Sequence, residues 1–64
     1  MKEKICVFPN DSLRDYFEKG EIKYGYFNPC NFFDEIHVIS LFENEIEAAK
    51  VSKIAGKGKL IIHN

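Results

Sequence analysis

Three short apolar runs limit what this chain can fold into: Ile5-Cys6-Val7-Phe8, Ile36-His37-Val38-Ile39-Ser40-Leu41 and Lys59-Leu60-Ile61-Ile62-His63. Each has the length and the β-branched or apolar content of a strand. The stretches between them are too long for tight hairpins and long enough for crossovers, so the three strands are expected to pair in parallel. The first run is apolar without interruption and predicts a strand buried on both faces, the usual state of a parallel strand. It must end at Pro9, which has no N–H to give to a ladder.

Two helices are expected in the crossovers. Ser12 with Asp15 three residues on is a weak capping signal; Leu13, Tyr16 and Phe17 follow at helical spacing, and Gly20 offers a stop, which predicts a helix from Ser12 to Lys19. From Asn44 to Ala55 the residues Ala48, Val51, Ile54 and Ala55 fall on one face, and Gly56 closes the pattern as a second helix. Between Glu21 and Glu35 the chain is irregular and aromatic, with Tyr24, Tyr26, Phe27, Phe32 and Phe33 broken by Gly25 and Pro29. It reads as a packed connection with one more helical turn, its rings serving core or an oligomer interface.

The fold class that follows is α/β: a three-stranded parallel βαβαβ half of a Rossmann-like domain, occupying residues 1–64 as one partial domain. With 64 residues the chain hides only about 60% of the surface its unfolded form exposes. Its 45% hydrophobic content still suffices for a folded rather than a disordered chain. Three strands and two helices cannot cover both faces of a parallel sheet. The chain is therefore expected to be the opening segment of a longer protein, or to form a homo-oligomer.

Charge and composition exclude several function classes. A net charge of -1 with acids and bases interspersed leaves no basic stripe for nucleic acid. No apolar run approaches the roughly 20 residues of a membrane span. Cys6 and Cys30 lack metal or redox spacing; Cys6 is expected as a small core residue and Cys30 as an incidental thiol, which suits a reducing, cytoplasmic compartment. No metal site is expected.

In open α/β sheets ligands bind beyond the carboxyl ends of the strands, where loops diverge and helices begin. The residues there are Pro9, Asn10, Asp11 and Ser12, then Ser40 to Asn44, then His63 and Asn64. From this set Asn10, Asp11, Ser12 and His63 are the candidate acceptor-binding residues. Helix capping is the competing role for Ser12, and turn chemistry for Asn10 and Asp11. His37 lies inside its strand and is expected to be a half-buried face residue rather than a base. The G-x-G-x-x-G of dinucleotide sites is missing, and Gly56-Lys57-Gly58-Lys59 has neither the spacing nor the position of a P-loop, so no cofactor is expected. A phospho-receiver would need an aspartate where His63 stands. No catalytic constellation is legible.

Three segments together, "KICVFPNDSL", "YFNPCNFFDEIHVISL" and "KVSKIAGKGKLIIH", resemble the amino-terminal start of GT-B glycosyltransferases of the family 4 type over nearly the whole chain. The resemblance implies the acceptor-side domain of an enzyme that moves a sugar from a nucleotide donor to an acceptor in a cleft between two Rossmann-like domains. It implies a small-molecule sugar acceptor and a donor-binding domain that these residues do not include, so the segment is expected to be inactive by itself. Pro9-Asn10-Asp11-Ser12 stands where many members carry a glycine-rich loop. The rival expectation is a stand-alone homo-oligomeric interaction module without catalytic activity.

Overall fold

The computed structural model describes residues 3–42 and 45–64. Three strands, β1 (Lys4–Val7), β2 (Glu35–Ile39) and β3 (Lys59–His63), form one sheet in the order β1-β2-β3, with both pairings parallel. The chain is thus α/β, with its middle strand also in the middle of the sheet. Helix α1 (Leu13–Glu18) follows β1. Ser12 caps it as the sequence predicts, its hydroxyl accepting from Asp15 N–H at 3.1 Å, and Gly20 beyond it takes a φ of 72°. The aromatic connection contains the one expected helical turn, a 3-10 turn at Pro29–Asn31.

The second crossover differs from expectation. In place of an α-helix there are two 3-10 turns, Ala48–Lys50 and Ser52–Ala55, separated by Val51 at φ -124°. Asn44, the expected helix start, lies outside the described residues. Local bonds run three residues back, as from Val51 N–H to Ala48 O and from Ile54 N–H to Val51 O. Glu47, at the start, makes no side-chain cap. At the far end the carbonyls of Lys53, Ile54 and Ala55 accept from Gly25 N–H, Phe27 N–H and the Asn28 amide. Tertiary bonds to the aromatic connection therefore hold this segment, and the tighter helix satisfies the same apolar spacing: Val51, Ile54 and Ala55 are fully buried.

The two faces of the sheet are unlike. On one, the rows Ile5–Ile36–Leu60 and Val7–Val38–Ile62 pack against a core of Leu13, Ile22, Ile46, Val51, Ile54 and Ala55. On the other, the rows are Lys4–Glu35–Lys59 and Cys6–His37–Ile61, with no element laid over them among the described residues. The expectation that β1 is buried on both faces is corrected: its residues alternate between exposed and half-buried, and Cys6 is exposed rather than core. The cause is topological. Two right-handed crossovers that step in the same direction across a sheet must lie on the same side of it.

Asn28 ties the aromatic connection to this core. It is buried, and its amide donates to Phe33 O at 2.9 Å and Ala55 O at 2.8 Å while its oxygen accepts from Phe33 N–H at 2.9 Å. Gly58 lies against the same clamp; a Cβ there would sit 2.8 Å from Phe33 O and 3.0 Å from the Asn28 amide nitrogen. Phe27 and Phe33 pack on the core, whereas Tyr24, Tyr26 and Phe32 stand exposed.

Candidate functional site

A carboxylate that no local pattern announces bridges the mouth beyond β1. Glu45 Oε2 accepts from Leu13 N–H and from the Ser40 hydroxyl, and Oε1 accepts from the N–H groups of Arg14 and Ile46, all four at 2.9 Å. The first-turn N–H groups of α1, which have no partner inside the helix, are thereby satisfied from 32 and 31 residues away. Burial alone would raise the Glu45 carboxyl; the bonds from Leu13, Ile46, Arg14 and Ser40 outweigh it and hold the group below its ordinary 4.5. Ser40 extends the link, because its backbone N–H donates to His63 O at 2.8 Å. A continuous hydrogen-bonded line therefore crosses the carboxyl end of the sheet, from the start of α1 through Glu45 and Ser40 to the end of β3.

Around that line the four candidate residues fall into two groups. Asn10 and Asp11 are exposed at the rim. Ser12 is buried and engaged as the cap of α1. Asp11 acts on Tyr16, whose phenol is raised first by burial and then by the neighbouring Tyr26 and Asp11 charges. His63 is exposed at the end of β3, two strands and so about 10 Å of sheet away from β1. Of the other residues expected at the mouth, Leu41 is exposed, Phe42 N–H contacts the Ser40 hydroxyl at 3.4 Å, and Glu43 and Asn44 lie outside the described residues.

His63 belongs instead to a row of titratable groups on the open face. His37 Nε2 is 2.9 Å from Glu35 Oε1, and His37 Nδ1 is 2.8 Å from His63 Nε2. The ring planes differ by 15° and the ring centres are 5.1 Å apart, which is as far as a 2.8 Å contact between ring nitrogens permits. The imidazoles are thus end to end in one plane, joined by a straight N–H···N bond. With His37 in its neutral form the carboxylate sets the direction of donation: His37 gives its Nε2–H to Glu35, its Nδ1 accepts from His63 Nε2–H, and His63 Nδ1 is left as an acceptor. Lys4 Nζ, 3.7 Å from Glu35 Oε1, completes the row.

This row can pass a proton between Glu35 and the outer nitrogen of His63. It cannot activate Cys6, although Cys6 is the register neighbour of His37, because both nitrogens of that ring are engaged. Among the described residues no group of three or more His, Cys, Asp or Glu side chains is placed to hold a metal ion. Nor is any helix among them long and apolar enough to cross a membrane.

No family model, curated protein or solved structure matches the chain.

Glu45 and Glu35 are the residues that sequence reasoning missed. Glu45 falls in the stretch expected to be the second helix, off its apolar face, and its partners at the start of α1 are 31 and 32 residues away. The His37–His63 pair left a signal, since alternation along two adjacent parallel strands puts both rings on one face once the register is known.

Proposed function

We propose that this chain is the acceptor-side, amino-terminal segment of a glycosyltransferase of the GT-B, family 4 type: a βαβαβ half of a Rossmann-like domain, inactive without a donor-binding domain. The observation that carries the reading is the one-sided sheet. Parallel strands in the order β1-β2-β3 with both crossovers on one side are what the first half of a doubly wound domain requires, the other side being left for the layer built by the second half. The resemblance of the three quoted segments supports the same assignment.

In this reading Asn10 and Asp11 offer hydrogen bonds to a sugar acceptor at the rim, and Ser12 and Glu45 hold the loop that presents them. His63 Nδ1, the free end of the histidine row, is the proton acceptor facing the same edge. Sequencing the gene through the codon for Asn64 tests the proposal. The expected frame continues into a second sheet domain with an acidic donor-binding motif, and a frame that stops after Asn64 overturns it.

One observation favours a second reading, a homo-oligomeric interaction module without chemistry. Phe8 is 67% and Leu41 85% exposed just beyond the carboxyl ends of β1 and β2, and Ile39 and Ile61 are half-buried on the open face. Such a patch is commonly an interaction surface. By strand spacing the face is about 15 Å on a side, well short of the roughly 800 Å² per partner of a stable complex, so a dimer built on it alone is weak. Light scattering across a concentration series separates the readings: reversible dimers with a stop after Asn64 support the module, and a monomer at every concentration removes it.

A further inference from the structure

At the opposite end of α1 from the mouth, a cleft of about 350 Å³ is lined by Phe17, Gly20, Ile22, Lys50 and Lys53. Its floor is apolar: Ile22 is buried and the Phe17 ring is half exposed. Its rim carries two ammonium groups, Lys50 and Lys53, one on each of the two 3-10 turns of the second crossover, and both line the same cleft. Among the described residues no acidic side chain lines the cleft and neither lysine has an ion pair. The chain as a whole has a net charge of -1, so two unopposed cations over an apolar floor are a local arrangement rather than a general basicity.

We propose that this cleft binds a phosphomonoester carrying an apolar ring or short chain, with the apolar part against Phe17 and Ile22 and the phosphate between Lys50 and Lys53. Neighbouring like charges repel until a counter-charge sits between them, and a phosphomonoester, close to doubly negative at neutral pH, matches two ammonium groups where a carboxylate matches one. The volume lies at the small end of the range for ligand sites. Because the cleft is open, binding is weak and weakens further with salt. The site is separate from the mouth and holds whether or not the chain belongs to a transferase.

The test is a titration of the isotopically labelled chain, followed by amide NMR shifts, with three probes: phenyl phosphate, benzyl alcohol and inorganic phosphate. Phenyl phosphate is expected to shift Gly20, Ile22 and the 50–54 backbone in a saturable way, and to bind several-fold more tightly than either half-probe. Lys50→Gln with Lys53→Gln should weaken it by roughly tenfold or more while leaving the rest of the spectrum in place. The proposal is overturned if phenyl phosphate binds no better than benzyl alcohol or inorganic phosphate. Equal binding by the double variant overturns it as well.

Discussion

Replacing Glu45 by alanine removes the acceptor of four hydrogen bonds at once, and it leaves the backbone N–H groups of Leu13, Arg14 and Ile46 and the Ser40 hydroxyl without it. A bond to a charged acceptor contributes about 1.5 kcal/mol or more. The carboxylate is part-exposed, so water takes over some of the freed groups, and discounting the four bonds by half leaves a loss of about 3 kcal/mol. A domain of this size has about 3–10 kcal/mol of stability in all. The Glu45→Ala chain is therefore expected to melt on the order of 15 °C lower, with the 3-10 segment and α1 loosened together. Thermal unfolding followed by far-ultraviolet circular dichroism reads this directly. Glu45→Gln should fall between: with the amide nitrogen on the side of Leu13 and Ser40 the Ser40 hydroxyl can turn to accept and only the Leu13 bond is lost, whereas on the other side the Arg14 and Ile46 bonds both go. A Glu45→Ala chain that melts within about 2 °C of the parent would refute the latch.

The same carboxylate sets a pH dependence. Its folded pKa lies below its ordinary value, so its stabilisation is complete above about pH 4.5 and is lost as pH falls through the lower folded value; Glu45→Gln should flatten that part of an acid melt series. Asn28→Ala should cost about 3 kcal/mol, since two carbonyls and an N–H lose a buried partner, and Asn28→Asp more, because a carboxylate oxygen would face the Phe33 and Ala55 carbonyls; urea midpoints decide both. Gly58→Ala should lower the midpoint too, by about 1–3 kcal/mol, because its Cβ meets the Phe33 carbonyl, and an unchanged midpoint would disprove that contact. Long-range ¹⁵N spectra at alkaline pH should show both His37 and His63 protonated at Nε2, whereas averaged tautomers would break the proposed row.

Much of the fold is legible because its signals are local. The Ser12 cap, the Gly20 stop and the three strand runs sit within a few residues of what they specify, and α1 and β3 fall where those signals put them. What the sequence hides is relational. Ile5-Cys6-Val7-Phe8 is apolar throughout and shows no alternation, so nothing in it tells that one side stays open. The spacing of Val51, Ile54 and Ala55 suits an α-helix and a 3-10 turn alike, and the choice is made by Gly25, Phe27 and Asn28, more than twenty residues earlier. Nothing local marks Asn28, which stands just before Pro29, yet it is buried and clamps the aromatic connection to Ala55. The mouth was legible as a place; Glu45, which bridges it, belongs to a different crossover.

If, as proposed, the polypeptide continues into a donor-binding half, the open face of the sheet is covered there by a second layer. Cys6, on that face at the edge strand β1, reports on it, and it can be read alone after Cys30→Ser. The decisive measurement is the rate at which the Cys6 thiol reacts with a disulfide reagent at low protein concentration, in the 64-residue chain and in the product of the whole reading frame. Rapid reaction is expected in the short chain and protection by about a hundredfold in the longer product. Equal rates in the two, or a reading frame that ends at Asn64, would contradict it.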